Sequence, residues 1–231
     1  MSVTLPDLDV DKAKEFFQTA AELSEKFPYE KLKKALGCLE TFGNVCSCLG
    51  AVAGLIQAFL PDEKQEAIMH EFSKIHDEIA QVRDDIRQLE NKLDEKLMHL
   101  QYAGAVTEIT MLTGYCDSML QNKKDSDKLS YYQNKIKDEG VGLEKSVDVI
   151  LQGINGDNPF SINILEAVYN ESGGSRPEVM LMAGRLMQLL VVGCTSLGSY
   201  TLLKYGEKAA KIYSENMQSK LKLVPENMEN G

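Results

Sequence analysis

The sequence lacks several features on which common functions depend. It has no tryptophan, only 6 prolines and only 3 histidines in 231 residues. Scarce proline favours long uninterrupted elements, because proline is the residue that most often ends a helix. No Gly-x-x-x-x-Gly-Lys-Ser/Thr loop and no Gly-x-Gly-x-x-Gly turn is present, so the sequence does not indicate a phosphate-binding loop. Strictly alternating apolar and polar residues, the pattern typical of strands, are also nearly absent.

Basic residues are outnumbered by acidic ones. The chain has 25 Lys and Arg against 35 Asp and Glu, which gives a formal net charge of −10. Binding to nucleic acid depends largely on positive charge, so we expect no nucleic-acid partner. The hydrophobic fraction of 43% and the charged fraction of 26% are close to those of globular proteins, and they exclude wholesale disorder.

The residues that usually carry catalysis are few and scattered. Helical di-iron sites use Glu-x-x-His pairs, and no glutamate stands three residues before His70, His76 or His99. The 5 cysteines are an odd number and form no zinc-binding pattern, so we predict buried free thiols. No nucleophile, base and orienting residue come together. The sequence therefore predicts no catalytic residue, no metal and no cofactor, and the protein is not expected to be an enzyme.

The strongest periodic signal follows Pro61. Apolar residues recur at steps of four and three, with one extra residue between Leu93 and Leu97. The residues between them are mostly charged, and the adjacent Asp84 and Asp85 are expected on the solvent-exposed face. This pattern predicts a long helix over residues 62–120. Its heptad stripe consists of Ile68, Phe72, Ile75, Ile79, Val82, Ile86, Leu89, Leu93, Leu97 and Leu100.

Residues 41–60 contain no charged side chain and are about as long as a helix that spans a bilayer. Gly50 and Gly54 have the small-xxx-small spacing of helices that pack closely in lipid. One interpretation is the central helix of a soluble core; another is a segment that enters a bilayer; a constitutive two-span membrane protein is a third. The candidate insertion residues are Gly43, Val45, Leu49, Gly50, Val52, Gly54, Leu55, Ile56, Phe59 and Leu60.

A second segment without charge, residues 186–203, fits a core helix better, because it contains Gln188, Ser196 and Ser199. The sequence as a whole predicts a single all-α domain over residues 1–231. We expect an elongated bundle of long antiparallel helices with a coiled-coil-like heptad helix. The predicted helices cover residues 28–60, 62–120, 127–151 and 177–221, and Gly140 and Gly142 are expected to weaken the third.

The arrangement resembles a known group of proteins. A Gly/Ala/Cys-rich apolar segment over residues 36–60 precedes the run FSKIHDEI at residues 72–79 and the heptads that follow. This pattern resembles the animal proteins grouped as rapunzel-like and cephalotoxin-like, over about residues 30–210. The layout is also similar to the α-helical pore-forming toxins of the cytolysin A type. The resemblance implies a toxin-like role in which soluble monomers oligomerise and insert an apolar element.

Two hypotheses for function follow. The first is a soluble membrane-active protein of α-pore-forming type, with a lipid membrane and further copies of itself as partners and residues 41–60 as the insertion element. The alternative is a cytoplasmic helical scaffold or binding module that uses its heptad stripe on a partner helix. Residues 1–7 lack the basic and apolar regions of a signal peptide, which favours a cytoplasmic location; a secreted or membrane-associated form is the alternative.

Overall fold

The computed structural model describes residues 63–93, 102–122, 124–155 and 163–221. Within these ranges the chain forms helices and no strand, which confirms the all-α prediction. The helices are α1 (Glu63–Leu93), α2 (Gly104–Gln121), α3 (Ser126–Glu139), a 3-10 turn (Gly140–Gly142), α4 (Leu143–Asn155), α5 (Ile164–Glu171), α6 (Arg176–Tyr205) and α7 (Glu207–Leu221).

Several helix starts have a local cause in the sequence. The Asp125 carboxylate accepts a hydrogen bond from the backbone N–H of Lys128 at 3.1 Å and caps α3. The Asn163 side chain accepts from the backbone N–H of Leu165 at 2.9 Å and caps α5 in the same way. Pro177 lies in the first turn of α6, where its missing N–H costs no helix bond.

Two helices form the centre of the bundle. α2 packs against α1, α3, α4 and α6. α6 packs against α1, α2, α3, α4, α5 and α7. Between Met182 and Leu202 nearly every side chain of α6 is buried. The core therefore sits around the contact between α2 and α6, and the other helices cover it.

α1 and α2 pack side by side in opposite directions. The Ser73 hydroxyl donates a hydrogen bond to the Asp117 carboxylate, 44 positions later in the chain. The Nε2 atom of His76 would lie 3.1 Å from a Cβ placed on Gly114. Such distant residues cannot meet in one straight helix, so the prediction of a single heptad helix over residues 62–120 is wrong. The apolar period continues through both helices, and folding back lets the two apolar faces bury each other.

α2 and α6 run in the same direction. A Cβ on Gly193 of α6 would lie 3.2 Å from Ile109 of α2 and 3.2 Å from Val147 of α4. Three residues further along α6, Ser196 forms a hydrogen bond with Thr113 of α2. Helix directions in the bundle are therefore mixed, and the coiled-coil-like packing and the elongated shape stay predictions.

The helix predicted over residues 127–151 is interrupted where its glycines stand. α3 ends at Glu139, and the 3-10 turn of Gly140–Gly142 leads into α4. The ring of Tyr200 from α6 lies against the α-carbon of Gly140, in the space that a Cβ there would occupy. The absence of a side chain at residue 140 thus allows α6 to approach this turn closely.

The helix predicted over residues 177–221 is also two helices. Gly206 separates α6 from α7, with φ of 84° and ψ of 176°. This φ lies in the left-handed region, which glycine adopts without a steric penalty and which a continuing helix does not contain. The prediction of one helix here is wrong, because the apolar period resumes after the break and conceals it.

Candidate functional site

The candidate insertion residues of the N-terminal segment lie outside the described residues, and their role stays a prediction. They are Gly43, Val45, Leu49, Gly50, Val52, Gly54, Leu55, Ile56, Phe59 and Leu60.

The heptad stripe lies partly within α1. Its central members are no more than 6% exposed and belong to the main hydrophobic core. This part of the stripe therefore faces the chain's own helices. Its use on a partner helix or in an oligomer stays a prediction. The buried members are Ile75, Ile79, Val82, Ile86 and Leu89; Ile68, Phe72 and Leu93 are also part of α1, and Leu97 and Leu100 lie outside the described ranges.

α6 has the composition of a membrane-spanning helix but is placed inside the bundle. Among the described helices it is the one long and apolar enough to cross a membrane, by length and composition. Its most apolar window has a mean hydropathy of 1.5 and is 78% buried by the rest of the chain. Residues 186–203 of α6 carry no charge and are called the charge-free run below. The structure places the run in the core, as the sequence favours.

Charged side chains stand at both ends of the charge-free run and contact other helices. Arg185, just before the run, forms an ion pair with Asp85 of α1. Lys204, just after it, donates from Nζ to the carbonyl oxygen of Lys137 in α3 at 2.8 Å. The same ammonium lies 5.6 Å from the ring centroid of Tyr200. Both ends of the run are thus attached to helices that cover it.

The position of Asp85 corrects an expectation from the sequence. Asp84 is exposed as predicted, with 64% of its side chain accessible, whereas the Asp85 side chain is only 24% exposed. Burial raises the pKa of the Asp85 carboxyl above its usual value of 3.8, although the Arg185 guanidinium acts in the opposite direction. The sequence could not distinguish the two neighbours, because Arg185 lies 100 positions away.

Three hydroxyl groups of the charge-free run are hydrogen-bonded to carbonyl oxygens of their own helix. Thr195 donates to the carbonyl oxygen of Val191 at 2.8 Å, and Thr201 donates to that of Leu197 at 2.8 Å. Ser199 donates to the carbonyl oxygen of Thr195 at 3.0 Å. Each of these bonds spans one turn of α6, so it does not depend on a neighbouring helix.

A small set of polar contacts joins α2 to α6. The hydroxyls of Thr113 and Ser196 lie 3.1 Å apart and are both buried. The Cys116 thiol is hydrogen-bonded to Ser196 and Ser199, and burial raises its pKa to about 11. A thiol with this pKa stays protonated at neutral pH, so it is a poor nucleophile. Cys116 and Cys194 are buried thiols, which confirms the prediction for these two cysteines.

Asp117 of α2 is a buried acidic residue. Its carboxylate accepts hydrogen bonds from the Ser73 hydroxyl and from Nε2 of Gln121, the latter at 2.7 Å. The bond from Ser73 attaches α1 to α2, and both bonds provide partners for the buried carboxylate. Across the part of the chain that the structure describes, no group of three or more His, Cys, Asp or Glu side chains could hold a metal ion.

The sequence matches a known protein family. Residues 61–230 match the model of the family described as the cephalotoxin-like middle helical domain, which is more than half of the chain. No curated protein and no solved structure matches the sequence.

Proposed function

The chain belongs to the cephalotoxin-like family, and we propose that it is a membrane-active, toxin-like protein of the α-pore-forming type. The membership confirms the resemblance to the cephalotoxin-like proteins, and the cytolysin A-type layout is part of the proposal. In this proposal, residues 41–60 insert into lipid after the chain oligomerises. The helices α1 to α7 form the scaffold that carries this segment.

One observation carries the proposal. The family domain begins at residue 61, directly after the charge-free segment 41–60 ends. A segment that only filled the core of this domain would be expected inside the matched range, whereas this one stands next to it. As a helix, about 20 residues would extend roughly 30 Å, which is the thickness of the hydrocarbon core of a bilayer.

The alternative function, a scaffold that binds a partner helix through the heptad stripe, requires that the stripe be accessible. Ile75, Ile79 and Ile86 of the stripe are 0% exposed. A partner would therefore have to displace helices of the chain itself before it could reach them. This burial supports the membrane proposal over the alternative.

Release of dye from loaded liposomes tests the proposal. Purified protein is mixed with liposomes of several lipid compositions at neutral and mildly acidic pH. We expect dose-dependent release and a larger species in detergent. Val52→Lys should abolish release, because a lysine at the centre of a membrane segment costs about 3 kcal/mol to insert. The matched control is Val141→Lys, since Val141 is 68% exposed in the 3-10 turn and tolerates a charge.

Two results contradict the proposal. One is the absence of both release and lipid binding across all compositions, which would direct attention to protein partners of the heptad stripe. The other is unchanged release by a Val52→Lys variant whose circular dichroism and thermal unfolding match those of the native protein.

A further inference from the structure

We propose that α6 is a second membrane-entering element, and that its charge-free run leaves the bundle to span lipid together with residues 41–60. The inference rests on the proposed function, because it assigns a role to α6 in that membrane activity. Three properties of α6 support it: its length and flanking charges, its internal hydrogen bonds, and the backbone at its two ends.

The length of the run and the charges beside it suit a bilayer. At about 1.5 Å per residue, residues 186–203 extend roughly 27 Å, close to the ~30 Å thickness of the hydrocarbon core. Arg185 and Lys204 stand at the two ends. Long basic side chains at such positions can extend to the headgroups while their aliphatic parts stay in the apolar layer.

The hydrogen bonds of three hydroxyls in the run also suit lipid, whereas the hydroxyl of Ser196 is bonded to α2. A hydroxyl that depends on a neighbouring helix becomes unpaired when its helix moves into hydrocarbon, at a considerable energetic cost. Thr195, Ser199 and Thr201 donate to carbonyl oxygens of α6 itself, so they keep these bonds wherever the helix lies. Thr107 and Thr110 of α2 bond to carbonyl oxygens of their own helix in the same way, so these bonds permit a move into lipid without requiring one.

Besides the apolar packing of its buried side chains, α6 is held in the bundle by polar contacts with α1, α2 and α3. On the α2 side, Ser196 is bonded to Thr113 at 3.1 Å. On the α1 side, Arg185 pairs with Asp85. The chain on either side of α6 contains glycines with positive φ, among them Gly206 at 84°. At these positions the backbone can change direction without a steric penalty from a side chain, so α6 can move as one rigid unit.

A reversible covalent link between α2 and α6 tests the inference. The hydroxyls of Thr113 and Ser196 are already close, so the double variant Thr113→Cys, Ser196→Cys places two sulfur atoms within range of a disulfide. It is made in a parent protein whose five native cysteines are replaced by Ala or Ser. We expect the oxidised protein to lose dye release and to recover it on reduction. Ser196→Cys alone, treated with the same oxidant, is the matched control and should keep its release.

The outcomes separate this inference from the proposed function. Equal release by the oxidised and the reduced double variant would overturn the role of α6 and leave the proposed function standing. No release from the cysteine-free parent, when the native protein also gives none, would contradict the proposed function and this inference with it.

A second measurement does not depend on the link. Gly198 is a partly exposed position in the run, and Gly198→Cys in the cysteine-free parent can carry an environment-sensitive fluorophore. Lipids with a nitroxide in their acyl chain should quench this fluorophore once α6 has inserted. The same label on Glu144→Cys, an exposed position of α4, should keep its fluorescence. Release of dye without quenching at residue 198 would overturn the inference.

Discussion

The guanidinium of Arg185 forms an ion pair with the carboxylate of Asp85, and this contact joins the start of the charge-free run to the C-terminal half of α1. The two side chains are 23% and 24% exposed, so the pair lies at the edge of the core. Because the contact is partly desolvated, its charge state affects the stability of the bundle at acidic pH.

We expect the contribution of Asp85 to the free energy of unfolding to increase as the pH falls towards 3.8. Burial holds the pKa of Asp85 above 3.8 in the folded protein, against the opposing effect of Arg185 and with a smaller contribution from Asp84. Between the two pKa values the folded state binds more protons than the unfolded chain, so acidification favours folding at this residue. Urea denaturation of the native protein and of Asp85→Asn over a pH series measures the difference.

The difference between the two pH profiles isolates Asp85 from the other acidic groups. A native-minus-variant difference that decreases as the pH falls would contradict the expected sign. Such a result would mean that the attraction of the Arg185 guanidinium outweighs burial in setting the pKa of Asp85.

Gly193→Leu should lower the free energy of unfolding by about 1–3 kcal/mol, because it overfills the centre of the bundle. A Cβ there would already lie 3.2 Å from side-chain carbons of both Ile109 and Val147. Gly104→Leu is the matched control, since nothing lies within 4 Å of a Cβ at that position. Urea denaturation of both variants checks the prediction, and equal stability of the two would contradict the close packing of α6.

Thr113→Val and Ser196→Ala should each lower the free energy of unfolding by about 1 kcal/mol, because each leaves the partner hydroxyl with one bond fewer in a buried place. The double variant should lose less than the sum of the two single losses. A double-mutant cycle measures this coupling, for which about 0.5–1.5 kcal/mol is expected. Simple additivity would mean that the two hydroxyls do not interact.

Cys116 should resist alkylation in the native protein and react on unfolding. Burial raises the pKa of its thiol to about 11, so at pH 8 the thiolate fraction is on the order of 0.001 even before access is considered. Iodoacetamide labelling with and without urea, followed by peptide mass spectrometry, measures this. Glu144→Cys provides an exposed thiol for comparison and should react quickly in both conditions. Rapid native labelling of Cys116 would indicate that α2 and α6 separate readily.

Part of this fold can be predicted from local periodicity. The recurrence of Ile75, Ile79 and Val82 at steps of four and three identifies the apolar face of α1, and these side chains are buried. The weak point at Gly140 and Gly142 was also predictable, because glycine is a poor helix former and the break falls there as a 3-10 turn.

Other features depend on contacts between distant residues, and periodicity does not contain them. The chain reverses between α1 and α2, yet the apolar spacing continues across the reversal, since both helices face the same core. The break between α6 and α7 at Gly206 was not predicted either, because the apolar spacing resumes after it. The partner of Asp85 is 100 positions away, so only the folded chain distinguishes it from Asp84.

For the candidate site, the sequence predicts where the charge-free run lies but not how its polar side chains are hydrogen-bonded. Composition alone identifies residues 186–203 as free of charge, and it favours a core position because polar side chains are present. Composition does not tell where those polar groups find their partners. The structure places the bonds of Thr195, Ser199 and Thr201 inside α6, and this distinction is the one that bears on lipid.

The ring of Tyr200 against the bare α-carbon of Gly140 has a consequence for how such sequences can diverge. A side chain at residue 140 and an aromatic ring at residue 200 would require the same volume, so residue 140 cannot gain a side chain while residue 200 keeps its ring. Among related sequences we expect glycine at the first position wherever the second keeps its ring, and a side chain at the first only where the second has become small. Residues 140 and 200, which are far apart in the chain, are thus expected to covary.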